Sequence, residues 1–315
     1  MKKLRKLKFD LLKFLNRIYV FLHRKSLKEN VIIVSSSEWS NKLREDFFLK
    51  DALNKEGINA KIMPWEELNT LKDENLIIKS TWGFHKKISK WNNWLEYLEH
   101  NNIKTLNPIS IIKDNYDKEK QFSILDQNNI IHIDTLFIEN DKEAETKILK
   151  FMKKYSTIVL KPAISESGFN TYKTSDEKEL KELLPKFKNS KILVQPYIKD
   201  IDKGEYSLIY IDGKLVNIVL KYNDVFMNRN SVKYIEESNA SKELLSLGNK
   251  IVDIKNYKGY LFMRIDVVQN DSKYEIMEVE LLDPNLYLNY IPDKKKKRET
   301  YKYFAQRIKK MINKE

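Results

Sequence analysis

Residues 260–280 read YLFMRIDVVQNDSKYEIMEVE, and the reading of this stretch decides the fold. Two runs rich in β-branched and aromatic residues, Tyr260–Val268 and Lys273–Glu280, flank a polar Asn270-Asp271-Ser272 turn, the pattern of a β-hairpin. Side chains alternate across a strand, so Arg264 and Asp266 share one face and Ile265 and Val267 the other. On the second run Glu278 and Glu280 share a face, with Met277, Val279 and Leu281 opposite. A hairpin centred near Ser272 sets Asp266 against Glu278, and neighbours in register share a face. Three carboxylates and a guanidinium then converge on one small patch. Carboxylates that close repel one another. A hard divalent cation removes the penalty, and Mg²⁺ held by few carboxylates keeps waters and grips substrate phosphates. The plain alternative is a half-exposed sheet face with ordinary alternating charge.

Other segments add cations to that patch. Lys161 ends an apolar run and precedes Pro162, Ser165, Glu166, Ser167 and Gly168; a lysine at a strand end beside a small polar loop can hold a phosphate. Lys118 opens a helix. Val194-Gln195-Pro196-Tyr197-Ile198 is an extended, proline-containing segment able to offer free backbone amides and carbonyls to a flat heterocycle. Glu205–Ile211 and Lys214–Lys221 flank Asp212-Gly213, a dipeptide suited to a tight hairpin turn.

Toward the start, Val31–Ser35, Asn59–Met63 and Leu76–Ser80 read as strands. They alternate with a helix from about Ser40 to Gly57 and another over Lys86–Asn101, whose Ile88, Trp91, Trp94, Leu95 and Leu98 share one face. This is a small open α/β unit to about residue 107. Between residues 108 and 200 come helices over Asp117–Gln127, Glu143–Tyr155 and from Ser175, with strands at Asp134–Ile138, Thr157–Lys161 and Ile192–Tyr197. Helices near Lys242–Ile254 and over Lys294–Lys314 complete the chain.

Composition narrows the chemistry. The 315 residues carry 58 Lys plus Arg against 45 Asp plus Glu, a net charge of +13, and no cysteine. Disulfides, thiolate metal sites and a cysteine nucleophile are excluded. Seven glycines in all and no phosphate-cradle, nucleophile-elbow or paired-histidine motif exclude the common nucleotide and hydrolase signatures. His23, His85, His100 and His132 are scattered. The first 28 residues are basic and amphipathic; Lys13, Asn16 and Arg17 interrupt their apolar run, against a secretory signal, and a helix on an anionic surface is one reading.

The order of Lys118, Lys161-Pro162 with its Ser/Gly loop, Val194–Ile198, Gly204-Glu205-Tyr206-Ser207, Arg264-Ile265-Asp266 and Glu278-Val279-Glu280 resembles the ATP-grasp superfamily. Ser80–His85, Asn107-Pro108 and Glu280–Leu288 are similar to the small bacterial branch of prokaryotic glutathione synthetases and the cyclo-ligase of cycloserine biosynthesis. The resemblance spans about residues 30–290. It implies an α/β (α+β) ATP-grasp fold of three α/β subdomains with ATP between two antiparallel-rich sheets. The divisions are a basic extension (1–28), an N-terminal α/β domain (29–107), a central lid (108–200) and a C-terminal metal-bearing subdomain (201–315).

The resemblance also implies residue roles. Lys118 and Lys161 contact the phosphates, and the loop carrying Ser165, Ser167 and Gly168 closes over them. Gln195, Pro196, Tyr197 and Ile198 line adenine, and Glu205 contacts the ribose or adenine side. Asp266, Glu278 and Glu280 ligate one or two Mg²⁺, with Mn²⁺ as an alternative, and Arg264 with Lys161 stabilises the transferring phosphoryl group. The implied activity is ADP-forming carboxylate–amine ligation through an acylphosphate on a small amino-acid-like substrate. The implied setting is the cytoplasm, with residues 1–28 as a peripheral contact to the inner membrane surface and no nucleic-acid partner. Gly83 and Phe84 stand where members often carry Asp and Tyr. Residues 222–233 lack the usual Arg- and Gly-containing segment, leaving Arg229 as the substrate-arginine candidate. Two other readings are a nucleotide-binding homologue without turnover and a basic surface-binding module.

Overall fold

The computed structural model describes residues 10, 11, 14, 18, 29–166, 168–188, 190–224 and 229–313. Strands β1 (Glu29–Ser35), β2 (Ile58–Pro64) and β3 (Asn75–Ser80) form a parallel sheet in the order β2-β1-β3. β1 is apolar at every central position because both its faces are covered. Val31 and Ile33 pack with Leu49 and Leu53 of helix α1 (Arg44–Lys55). Ile32 and Val34 pack with Trp91, Trp94, Leu95 and Leu98 of α2 (Ile88–His100). α1 begins four residues later than expected, because Asn41 adopts a left-handed φ of +60° and the chain turns there. α2 likewise starts after a short 3-10 turn, Phe84–Lys87, entered through Gly83 at φ +96°.

Next come α3 (Ile109–Asn115) and α4 (Lys118–Gln127), the latter capped by the Asp117 side chain. Both turn apolar residues, Ile111, Ile124 and Leu125, toward the last sheet. β4 (Leu136–Ile138), α5 (Ala144–Tyr155), β5 (Ile158–Pro162), β6 (Tyr172–Thr174), α6 (Glu177–Leu183) and β7 (Ile192–Pro196) build a four-stranded antiparallel sheet ordered β4-β7-β5-β6. Its core is Ile148, Ile158, Leu160, Leu180, Phe187, Ile192 and Val194. α3 and β6 are additions to the sequence-based reading; at seven and three residues they give little periodicity.

The third sheet holds β8 (Glu205–Ile211), β9 (Lys214–Asp224), β10 (Arg229–Tyr234), β11 (Phe262–Asn270) and β12 (Lys273–Glu280), ordered β10-β9-β8-β11-β12. α7 (Lys242–Val252) covers one face. α8 (Lys294–Ile312) packs Phe304, Ala305 and Ile308 into the core that joins this sheet to the first. Asp212 and Gly213 take φ +45° and +80°, the left-handed pair expected of that turn.

The β11–β12 register is set by two devices. Beside the turn Asn270 faces Lys273 and Val267 faces Ile276, so the loop is the two residues Asp271-Ser272. Continued unchanged, that register would set Asp266 against Met277. One extra residue intervenes: Asp266 faces Glu278 and Arg264 faces Glu280. The expected pairing thus holds, but through a bulge rather than through the turn. Met277, expected on the Val279 face, instead packs with Ile133, Ile198 and Val268. β8–β9 carries a matching irregularity between Ile209 and Tyr210, beyond which Glu205 faces Lys221.

Under the first sheet lies a buried polar cluster. Lys79 Nζ bonds Glu45 at 2.7 Å and the Pro284 carbonyl at 3.0 Å, and Ser80 Oγ donates to Asp46 at 2.5 Å. Burial pushes the Asp46 carboxyl up to about 6 against the pull of Lys79 and Ser80. A raised carboxylate binds its proton more tightly folded than unfolded. Its stabilising contribution is therefore full below the ordinary 3.8 and lost as pH rises through about 6. The ceiling is about 3 kcal/mol. Asp46→Asn is expected to flatten stability between pH 4 and 7 and to melt above the parent at pH 7; thermal melts across that range check it.

Candidate active site

β11 and β12 present one polar face, and Asp266 is its centre. The carboxylate is 3% exposed. Its Oδ1 accepts from Ser207 Oγ at 2.5 Å and Arg264 Nε at 3.0 Å; its Oδ2 accepts from Arg264 Nη2 at 3.0 Å and pairs with Lys221 Nζ at 3.0 Å. Burial alone would raise this acid, but Arg264, Lys221 and the hydrogen bonds hold it well below the usual carboxylate range. The Arg264 guanidinium also pairs with Glu280 and faces the Tyr287 ring at 5.9 Å. Burial pushes Glu280 up despite Arg264, and Glu278 beside it adds to the rise. Glu278 pairs with Lys118 at 3.0 Å. For Glu278 burial opposes ionisation, yet Lys118 and then Lys161 prevail and its pKa falls. Lys221 Nζ also bonds Glu205 at 2.8 Å, and burial outweighs that pairing to push Glu205 up.

The second sheet supplies the opposing wall. Lys161, near the end of β5, makes no ion pair within 4.0 Å among the described residues; burial pushes its ammonium down, Glu278 pulls it up, and Lys118 adds to the fall. Lys118 Nζ also donates to the Ser165 carbonyl at 2.8 Å, so the loop after β5 is tied to Glu278 through one ammonium. Ser165 Oγ is spent on the Pro162 carbonyl at 2.9 Å and does not point outward as a phosphate donor. Gly168 takes φ +72° in a turn closed by Phe169 N–H to the Glu166 carbonyl at 2.9 Å. Ser167 lies outside the described residues, as does the Arg229 side chain.

The segment expected to offer free backbone groups is partly committed. β7 lies between β4 and β5, Pro196 has no N–H, and the Tyr197 N–H donates to the Thr157 carbonyl at 3.0 Å. Gln195 Nε2 donates to Thr135 Oγ1 at 2.9 Å and is buried. The Ile198 carbonyl accepts from Ile201, while its N–H has no partner among the described residues and is the donor left for a ligand.

Four cations, Lys118, Lys161, Lys221 and Arg264, thus surround Glu205, Asp266, Glu278 and Glu280. Among the described residues no three acidic or imidazole groups stand ready as a closed metal cage. Carboxylate oxygens are the ligands a hard divalent cation takes, so Asp266, Glu278 and Glu280 have the chemistry to hold one. Lys221 and the role of Ser207 were missed in the sequence. Lys221 carries a readable signal, a lysine after the largely apolar Leu215–Leu220; Ser207 stands in the Gly204–Ser207 run, where nothing marks it as a partner of Asp266.

A parallel three-stranded sheet, a four-stranded antiparallel sheet and a second antiparallel sheet bearing this charged hairpin define the ATP-grasp class. The family profile described as the ATP-grasp domain of prokaryotic glutathione synthetase matches residues 128–290, more than half of the chain. The chain belongs to this family, whose members are ADP-forming carbon–nitrogen ligases. Residues 31–107 match the profile of the N-terminal domain of D-cycloserine synthetase DcsG. Among solved structures the chain is similar to D-cycloserine synthetase DcsG, at 17% identity over 90% of this chain and 100% of that one, TM-score 0.76. It is similar to D-alanyl-alanine synthetase A from Vibrio cholerae O1 biovar eltor, at 13% identity over 91% and 98%, TM-score 0.68. It is also similar to the ATP-grasp ligase PsnB, solved with a precursor variant, Mg and ADP, at 12% identity over 91% and 100%, TM-score 0.61. These likenesses establish the fold. No curated protein sequence matches.

Proposed function

We propose that the protein is a Mg²⁺- and ATP-dependent ligase that phosphorylates a small amino-acid-like carboxylate and joins the acylphosphate to an amine. The single observation carrying this reading is the set of four cations around the acidic face of β11–β12. Lys118 and Lys161 take the phosphates, Ile198 N–H and Gln195–Tyr197 border adenine, and Glu205 with Lys221 flanks the nucleotide. Asp266, Glu278 and Glu280 hold Mg²⁺, which supplies charge neutralisation when bound. Arg264 faces charge developing on the moving phosphoryl group. Phosphoryl transfer needs positioning and electrostatics rather than a protein nucleophile, and this residue set supplies both. Residues 29–107, 108–200 and 201–315 act as the N-terminal unit, the lid and the metal-bearing unit. A coupled ADP-release screen over amino acids, dipeptides and sugar acids tests the reading, with mass spectrometry of products. The protein is expected to release ADP only with a matching acid and Mg²⁺; Mg-ATP binding with no ADP from any acid would favour a homologue without turnover.

The lysines argue for one ordered effect. Lys161→Met is expected to lower ADP formation about 100-fold with little change in melting temperature, because its ammonium has no ion-pair partner among the described residues to lose. A Lys161→Met enzyme with parental kcat/KM would contradict the assignment.

At the chain start, Leu11, Phe14 and Ile18 each have helical backbone and are 55%, 58% and 40% exposed. The rest of the basic extension lies outside the described residues, and no described helix is long and apolar enough to cross a membrane. We infer that this segment rests on anionic lipid. Removing residues 1–28 is expected to leave ADP formation within twofold and to abolish co-sedimentation with phosphatidylglycerol vesicles; retained vesicle binding would contradict it.

A further inference from the structure

A second group of buried polar atoms stands beside the charged hairpin and is used by none of the steps above. His85 lies in the 3-10 turn after β3, and its side chain is 8% exposed. Among the described residues neither ring nitrogen has a hydrogen-bond partner. Its Nδ1 stands 3.5 Å from Glu166 Oε2, too far for a bond. That oxygen is held instead by the Gly83 N–H at 2.8 Å, while Glu166 Oε1 is buried and unpartnered. Three polar positions without a protein partner on two adjacent side chains are costly unless a ligand or an ordered water completes them.

Their place is informative. Glu166 follows Ser165, whose carbonyl is held by the same Lys118 ammonium that pairs with Glu278. On the other side Asp283 interacts with both Glu166 and Glu280, and is fixed by Thr81 Oγ1 at 2.6 Å. The pair therefore borders the phosphate end of the site, where an activated acid would form. Two of the three positions are acceptors, the carboxylate oxygen and one nitrogen of a neutral imidazole, and the other ring nitrogen carries an N–H donor. A second carboxylate would be repelled there, whereas a primary ammonium offers three donors.

Resting on the ligase reading, we propose that Glu166 and His85 form the amine subsite, with Glu166 Oε1 holding the ammonium of the attacking substrate and His85 taking its proton. The ammonium gives one proton to a His85 ring nitrogen. The freed lone pair forms the C–N bond at the acyl carbon, and the C–O bond to phosphate breaks with its electron pair on phosphate. The nitrogen's second proton leaves with the phosphate as hydrogenphosphate, and His85 returns its own to solvent. Phe169, its ring 5.0 Å from the imidazole, borders the subsite.

The test separates the two half-reactions. With ATP, Mg²⁺ and an equimolar pool of D- and L-amino acids, dipeptide is followed by mass spectrometry; with hydroxylamine added, hydroxamate reports acylphosphate alone. Hydroxylamine is a free base at neutral pH and needs no protein base. His85→Gln is expected to cut dipeptide formation about 100-fold or more while hydroxamate stays within threefold; Glu166→Gln is expected to raise the KM for the amine without changing hydroxamate. Dipeptide and hydroxamate falling together, or neither falling, would overturn the subsite. Absence of hydroxamate from the unmodified protein with this pool and with the dipeptides and sugar acids of the ADP-release screen would instead remove the ligase reading, and the subsite with it.

Discussion

Glu278→Gln is expected to abolish measurable ADP formation, a loss of at least about 1,000-fold or ~4 kcal/mol of transition-state stabilisation. Glu278 is the carboxylate nearest the phosphate lysines: it pairs with Lys118 at 3.0 Å and leads the charges acting on Lys161. The amide is the same size but carries no charge, so it holds a divalent cation poorly. The fold should hardly notice. The side chain is 27% exposed, and Lys118 keeps its bond to the Ser165 carbonyl. A change in unfolding free energy of about 1 kcal/mol or less follows. Coupled ADP release and a urea melt on the same sample separate the two effects; retained turnover would remove Glu278 from the site.

The largest effect on stability is expected from Asn107→Ala. Asn107 is 2% exposed and fills all four of its hydrogen-bonding positions with backbone. Its Nδ2 donates to the carbonyls of Phe262 at 2.9 Å and Leu281 at 2.5 Å. Its Oδ1 accepts the N–H groups of Leu261 at 2.7 Å and Phe262 at 3.2 Å. One side chain therefore clamps the start of β11 to the end of β12, where Arg264 and Glu280 meet. Alanine strands buried groups that cost about 1–3 kcal/mol each. A loss of about 4 kcal/mol is expected by urea denaturation, a large share of a typical domain's stability. Activity should fall at temperatures where the variant is still folded, because the hairpin end loosens. A loss below about 1 kcal/mol would show that Asn107 is not the clamp.

The hairpin was legible because its charges alternate between apolar residues that need burial. Ile265, Val267 and Val279 fix one face, and Arg264, Asp266, Glu278 and Glu280 follow on the other. What the letters do not carry is the bulge at Met277: nothing in Glu275–Glu280 marks the extra residue, and the turn alone implies the wrong partner for Asp266. The β8–β9 bulge hid Lys221 in the same way, since Glu205 meets it only beyond the irregularity. The N-terminal sheet was plain because β1 is apolar on both faces. The Tyr197 amide was misread in detail because a loop amide looks free in sequence, and whether Thr157 claims it depends on folded distances. Asn107, Asn115 and Gln121 each hold backbone at the β11–β12 end, yet a lone amide in a sequence gives no sign of such a role.

Calorimetric titration with the non-hydrolysable analogue AMPPNP tests the proposed magnesium–nucleotide seat at this hairpin most directly. The unmodified protein should bind the analogue tightly with Mg²⁺ and at least tenfold more weakly with EDTA, while Asp266→Asn should bind equally weakly in both. Affinity indifferent to Mg²⁺, or unaltered in Asp266→Asn, would contradict the account.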